Sequence, residues 1–535
     1  MRFGALRSSL RVALIAASAF SLGAGSVLLH GQASPAPVHV FFRVQAAASV
    51  PTPISGRLLI FVKAGSGDKE VGNSEFRPNE TWVAAREVHD LAPGATIEFN
   101  ADEAAYPKPF SALPAGTYEA QAVLDVDHTY TYSGRGAQDW VSPVVALRNW
   151  TPGTGAEPVL TLDHHAKANP QWASMMAAAH AKAKPGVTEF EKFESPVLSR
   201  FWGHPVSIAA WVILPPGYDA HGKERYPTAY WTNGFGGGID EGLWTGLQLR
   251  ARMKSGKMPP MIWVMLDESL AEGAHEFADS VNDGPWGSAL TTEFIPHLEA
   301  KYRMDARPEG RLLNGHSSGG WATLQLEVNY PNVFGGTWST SPDPSDFHDF
   351  TGADLYAANA NVYHRADGSD MPIFRDHGKV IATFEQMTRM EDVMGRFGGQ
   401  IASFDWVFSP KGKDGAPEQM FDHQTGAVHP EVVAYWRDHY DLSHVVETHW
   451  AERGAMLKGR IHLIVGTADT FYLDGAAHKF EAVLSRLGAD PHFTYIPDRT
   501  HFDLYVVDKD RMGLFDRIGA EMYAVARPGA QWKKQ

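Results

Sequence analysis

Leu312-Leu313-Asn314-Gly315-His316-Ser317-Ser318-Gly319-Gly320-Trp321 is the stretch on which the fold is read. It holds a G-x-S-x-G pentapeptide, which on an α/β scaffold puts its serine on a sharp turn between a strand and a helix. The turn forces the serine into strained backbone, and a side chain two residues to either side would collide with the strand and helix being joined. In a chain with 51 glycines among 535 residues the pentapeptide alone says little, so its flanks decide. Residues 311–314 read as an apolar strand end. Residues 318–330 read as a helix, with Trp321, Leu324, Leu326 and Val328 at mixed helical spacing.

Outward from this unit, strand and helix patterns alternate, which implies a mostly parallel sheet covered by helices on both faces. Residues 206–214, 228–232 and 261–266 read as strands and 285–302 as a helix. Downstream, 334–340, 460–465 and 492–496 read as strands, with helices at 475–487 and 515–526. The alternation weakens between about 343 and 459, a stretch rich in Gly, His, Asp and aromatics with helical pieces at 383–397 and 430–440. An insertion there would sit at the carboxyl ends of the strands and shape the substrate pocket, with a lid as its expected role. This assigns 195–535 to one catalytic domain. Residues 38–165 carry short period-2 runs at 39–45, 56–62, 95–99, 117–124 and 141–147, separated by Pro, Gly and Asn turns. That is the pattern of an Ig-like β-sandwich of about seven strands, an accessory domain. Residues 166–194 are alanine-rich, with a short helix ending before Pro185-Gly186, and read as a linker.

With 44% apolar and 20% charged residues the chain is globular in composition, and at this length it should hold two domains. Residues 1–11 carry Arg2, Arg7 and Arg11 without an acid, 12–29 are apolar and small, and Gly31-Gln32-Ala33 offers a small-x-small cleavage site. We expect a signal peptide at 1–33 and a periplasmic or secreted protein with no stable membrane insertion after cleavage. The absence of cysteine excludes disulfides, thiolate metal sites and a cysteine nucleophile. Loss of the three leader arginines takes the formal charge from -15 to -18. Such a chain repels phosphate backbones, and with no basic run a nucleic-acid partner is not expected.

A serine hydroxyl is a poor nucleophile until a base takes its proton, and a carboxylate must hold that base in the right tautomer. Asp469, in Gly466-Thr467-Ala468-Asp469-Thr470, follows one predicted strand; His501, in Pro497-Asp498-Arg499-Thr500-His501-Phe502, follows the next. Loops there stand at the carboxyl edge of a parallel sheet, beside the serine. Ser317, Asp469 and His501 are therefore the candidate nucleophile, orienting acid and base. A tetrahedral intermediate also needs backbone N–H donors, worth about 3 kcal/mol each. Asn233-Gly234-Phe235-Gly236-Gly237-Gly238 follows an early strand, and the amides of Phe235 and Ser318 are the candidate oxyanion donors. This loop lacks both the Gly-Lys-Ser/Thr ending of a phosphate loop and the spacing of a dinucleotide fingerprint. Asp163-His164-His165 reads as a solvated strand end, since no third ligand lies at useful spacing. No metal or organic cofactor is indicated. Trp286, Trp321, Trp338 and Tyr472 fall near the candidate loops, either as core, the favoured reading, or to stack on a sugar or phenolic group.

Four motifs in order, Ser280-Val281-Asn282-Asp283-Gly284-Pro285-Trp286-Gly287, Glu293-Phe294-Ile295-Pro296-His297-Leu298, Gly315-His316-Ser317-Ser318-Gly319-Gly320 and Tyr330-Pro331-Asn332-Val333-Phe334-Gly335-Gly336, resemble the esterase D family. That family includes enterochelin esterases, feruloyl and acetyl-xylan esterases, S-formylglutathione hydrolases and mycolyltransferases. The resemblance covers about 195–526. It implies an α/β-hydrolase fold, a triad carried here by Ser317, Asp469 and His501, and an oxyanion amide at Phe235. Asn233-Gly234 stands where many relatives have His-Gly, and the 343–459 span is longer than in compact members, so substrate identity does not carry over. The resemblance supplies no role for the N-terminal region. The expectation is an exported serine esterase acting through an acyl-enzyme on a small-molecule or glycan-linked ester, on a carbohydrate, siderophore or phenolic substrate. The alternatives are an acyltransferase using the same triad and a glycan-binding protein with an inactive hydrolase domain. Nothing points to the peptide subsite that a serine peptidase would need.

Overall fold

Eight strands form the central sheet of the computed structural model, which describes residues 39–66 and 69–532; the expected signal peptide at 1–33 lies outside them. The strands are β1 (Thr188–Glu194), β2 (Ser207–Ile213), β3 (Thr228–Thr232), β4 (Ile262–Leu266), β5 (Arg311–His316), β6 (Thr337–Thr340), β7 (Ile461–Gly466) and β8 (His492–Ile496). Their spatial order is β1-β2-β4-β3-β5-β6-β7-β8. β2 runs antiparallel to both its neighbours and every later pair is parallel, the strand arrangement of an α/β hydrolase. β3 and β4 are buried at every position. Their side chains alternate between two cores: Tyr230 packs with Leu313 and Phe334 on one face, Trp231 with Leu312 and Trp338 on the other. A strand covered on both faces reads as a continuous apolar run, which is why these strands are legible in the sequence.

The sheet begins with β1, inside the 166–194 stretch read as linker. Its sequence, Thr-Glu-Phe-Glu-Lys-Phe-Glu, is charged at four of seven positions, which suits an edge strand that pairs on one side only. The helix expected over 285–302 is composite: Trp286–Ala289 and Ile295–Lys301 are α-helical, and Leu290–Phe294 widens to a π-helical turn. Pro296 stands two residues on, and its missing N–H interrupts the regular ladder there.

The helices that position the site are α1 (Ile239–Lys254), α2 (Ser318–Asn329), α3 (Phe384–Met394), α4 (Gln400–Phe408), α5 (Leu473–Leu487) and α6 (Gly513–Ala526). The insertion is welded to the hydrolase sheet layer, since Trp321 and Leu324 of α2 share a core with Phe347, Phe408 and Trp436. On its other side, Met390 and Met394 of α3 enter the core of an N-terminal sheet beside Leu59, Phe61 and Val83.

That N-terminal region is β-rich. A three-stranded sheet (Phe41–Ala46, Thr96–Asn100, Val159–Leu162) shares an apolar core with a seven-stranded sheet built around Ile54–Ala64 and Gly116–Asp125. Strand Thr81–Leu91 has no counterpart among the expected runs, because Ala84-Ala85-Arg86-Glu87 lacks strand-like alternation. The single strand expected at 141–147 is two, Trp140–Val141 and Val145–Trp150, divided at Pro143, which has no N–H to give to a ladder.

Candidate active site

β3, β5, β6, β7 and β8 are parallel neighbours, so the loops leaving their carboxyl ends meet at one edge of the sheet. Register aligns Thr232 with Gly315, His316 with Thr340, and Gly466 with Ile496. Ser317 follows β5 with φ 60° and ψ -131°, a conformation that costs a non-glycine residue roughly 1–3 kcal/mol and persists only where the surroundings impose it. They do. A Cβ at Gly319 would stand 2.5 Å from the Thr232 carbonyl and 2.9 Å from the Gly234 nitrogen, and the backbone of Gly315 lies directly against that of Gly319.

The loops after β7 and β8 are bonded to one another. Thr467 N–H donates to the Ile496 carbonyl (3.0 Å), Ala468 N–H to that of Arg499 (3.1 Å), and Asp498 N–H to Thr467 Oγ1 (3.0 Å). This stitching sets Asp469 and His501, both buried, with His501 Nδ1 3.0 Å from Asp469 Oδ2. Asp469 Oδ1 accepts from the Phe471 N–H at 2.9 Å. Burial acts to raise the Asp469 carboxyl, but His501 and the amide bonds outweigh it and hold the group below the usual carboxylate range. An ionised Asp469 accepts a hydrogen bond from Nδ1–H, which keeps the proton on that nitrogen and leaves Nε2 as the basic one.

Ser317 and His501 line one cavity of about 250 Å³ together with Asn233 and Phe235. The glycine loop lies directly on the turn: a Cβ at Gly234 would meet the His316 carbonyl at 2.5 Å and Ser317 Cβ at 3.1 Å. Among the described residues, neither the Phe235 nor the Ser318 N–H donates to an acceptor. The Ser318 amide opens α2, where the helix dipole favours an anion.

Two neighbours were not singled out from sequence. The His316 ring lies 4.4 Å from that of His501; burial first, and the adjacent histidine second, push it down to about 3, so it stays neutral. Asp343 accepts a 2.6 Å hydrogen bond from Ser318 Oγ and lines the cavity, and burial pushes its carboxyl up to about 6. Its place just after β6, at the same sheet edge, is a signal available in the sequence. The aromatics weighed for stacking belong elsewhere. Trp286, Trp321 and Trp338 are buried in the cores, and Tyr472 carries the Arg375 guanidinium 4.3 Å from its ring centre. The cavity's rings are phenylalanines, among them Phe374, Phe471 and Phe502, and Phe76 from the N-terminal region.

The family model for Esterase, described as "Putative esterase", matches residues 205–487, more than half of the chain. Two curated relatives, Esterase MT1326 of Mycobacterium tuberculosis (strain CDC 1551 / Oshkosh) and Esterase Rv1288 of strain ATCC 25618 / H37Rv, are each 33% identical over 142 residues. Those alignments take in 26% of this chain and 30% of the relative, so the chain spans about a third of the length of the curated relatives it matches. Solved structures similar to it include a ferulic acid esterase (14% identity, TM-score 0.38, covering 64% of this chain and 97% of that one). Another is a Pyrobaculum calidifontis esterase (15% identity, TM-score 0.38, covering 66% and 91%).

Proposed function

The chain belongs to the Esterase family, and from that membership we propose a serine esterase that cleaves a carboxylic ester through an acyl-enzyme. The observation that carries the reading is His501, bonded to the buried Asp469, opening on the same cavity as the strained Ser317. In this reading Ser317 Oγ attacks the ester carbonyl while His501 Nε2 takes its proton. Asp469 holds Nδ1–H and balances the imidazolium. The Phe235 and Ser318 amides receive the oxyanion. His501 then returns the proton to the leaving alcohol, and water, deprotonated by the same nitrogen, releases the acid.

The apolar, ring-lined cavity supports an ester with a bulky apolar group, as on a phenolic substrate, in preference to a bare acetyl ester. We read the N-terminal sheets as a β-sandwich accessory domain, and the mature chain as exported, on the leader pattern of residues 1–33. N-terminal sequencing of the exported chain checks this; a retained leader overturns it. The enzymatic reading is tested by hydrolysis of short-chain nitrophenyl esters. The wild type turns them over, and Ser317→Ala falls by a factor on the order of 10⁴ or more. Equal rates in the two proteins would exclude Ser317 as nucleophile.

A further inference from the structure

Two segments of the N-terminal β-rich region reach the candidate active site at different points. The first is Tyr132, in the helical turn Tyr130–Ser133. Its hydroxyl donates to the Gly237 carbonyl at 2.8 Å, and its ring meets Phe235 edge-on at 5.2 Å. The loop it touches, residues 233–238, carries the candidate oxyanion amide of Phe235, and four of its six residues are glycine. Such a glycine-rich loop has much backbone freedom to lose, so its amides are held in one direction only if something outside it does the holding. Within the hydrolase domain Gly234 packs on the His316–Ser317 turn, and the loop has an internal turn, Gly237 N–H to the Gly234 carbonyl, and the bond from Asn233 Nδ2 to Glu241 Oε2. These leave the peptide planes around Phe235 and Gly236 without a hydrogen-bond partner; the Tyr132 hydroxyl supplies one at the far end.

The turn bearing Tyr132 is itself fixed. Tyr130 N–H donates to Asp125 Oδ2 at 3.0 Å, the Tyr130 ring stacks on Phe61, and Thr131 Oγ1 donates to the Phe397 carbonyl at 2.7 Å. Arg57 adds a second tie, donating to the Val393 carbonyl through Nη2 at 2.8 Å and Nε at 3.1 Å.

The second segment carries Phe76. Its ring centre lies 5.2 Å from that of Phe374 and 5.6 Å from that of Phe502, and Phe471, 6.4 Å away, sits edge-on at 4.6 Å against His501. Phe76 thus forms one wall of the cavity that Ser317 and His501 open on.

We propose that the N-terminal region is a working part of this active site, in which Tyr132 is a positioning residue for the Phe235 amide and Phe76 sets the preference for a ring-sized apolar acyl group. The proposal rests on the esterase reading, and its consequences separate the two parts. A displaced oxyanion amide affects the transition state and spares ground-state binding, so it appears in kcat. A lost wall affects the fit of a large acyl group more than that of a small one.

The experiment uses the full chain. Tyr132→Phe removes one hydroxyl and keeps the ring. Its kcat on nitrophenyl acetate is expected to fall about tenfold with KM within twofold, and amide hydrogen exchange across 233–238 to quicken while the central sheet stays protected. Phe76→Ala is expected to lower the ratio of kcat/KM for nitrophenyl benzoate over nitrophenyl acetate about tenfold. Unchanged kcat together with unchanged loop exchange in Tyr132→Phe, or an equal loss on both esters in Phe76→Ala, overturns the proposal. Should the wild type hydrolyse neither ester, the esterase reading fails by itself, and loop exchange in Tyr132→Phe still decides whether the N-terminal region holds the loop.

Discussion

Asp469 is fully enclosed yet ionised, because one oxygen faces His501 and the other a backbone N–H. Asparagine at this position would keep the shape, but with its oxygen held by the Phe471 N–H it would turn its NH2 towards His501 Nδ1, favour the wrong tautomer and fail to balance a charged imidazole. Asp469→Asn is expected to lower kcat on nitrophenyl esters by about 10³–10⁴ with its melting temperature nearly unchanged. Steady-state kinetics beside a thermal melt checks it, and a rate within threefold of wild type would remove Asp469 from the proposed mechanism. The residue types, their order and their positions after consecutive strands are readable from sequence, because each belongs to a short local pattern. Asp343 shares the position after a strand, but its bond to Ser318 and the approach of His316 to His501 come from packing across β5 and β6, which no local pattern records.

At the scale of elements, the turn between β5 and α2 is held by backbone packed on backbone. Gly319 lies so close to the end of β3 and the start of the glycine loop that even a methyl group forces one of them to move. Gly319→Ala is expected to cost about 1–3 kcal/mol of stability by overpacking, and to lose more activity than its stability explains, since the displaced atoms belong to the loop carrying the Phe235 amide. Chemical denaturation and kcat measured on the same preparation separate the two effects. A variant as active and as stable as wild type would show that the loop yields freely. The G-x-S-x-G spacing announces this crowding in the sequence, whereas the split of the 285–302 helix and the edge strand β1 do not, since one depends on a proline's missing donor and the other on having a neighbour on one side only.

Across the whole molecule, several carboxyl groups are buried more deeply than their hydrogen bonds and nearby cations offset. Burial pushes Glu268, Glu327 and Glu391 up to about 8, and Asp405 up to about 7. For each, the folded state keeps a proton that the unfolded chain has already released. Unfolding therefore sheds protons, and stability present at acid pH is lost as pH rises towards the folded value, by up to about 1.4 kcal/mol per pH unit per group. Scanning calorimetry is expected to show the melting temperature falling between pH 6.5 and 8, and Glu268→Gln, which needs no proton there, to reduce the slope by about one group's share. A melting temperature that is flat or rises over that interval would contradict this.

What the sequence by itself determined is what local chemistry dictates: apolar runs for strands buried on both faces, the glycine spacing of the serine turn, and the placement of Asp469 and His501 after successive strands. These are short-range patterns, and a parallel sheet converts them into a common edge without further information. Only the tertiary structure decided the walls of the cavity. Phe76, Phe235 and Phe374 come from segments far apart in the chain, and neither spacing nor composition records which of their faces will meet. The reason is physical: a strand's period reflects its own burial, whereas a pocket arises where separately folded layers press together, and that fit is decided by packing between them.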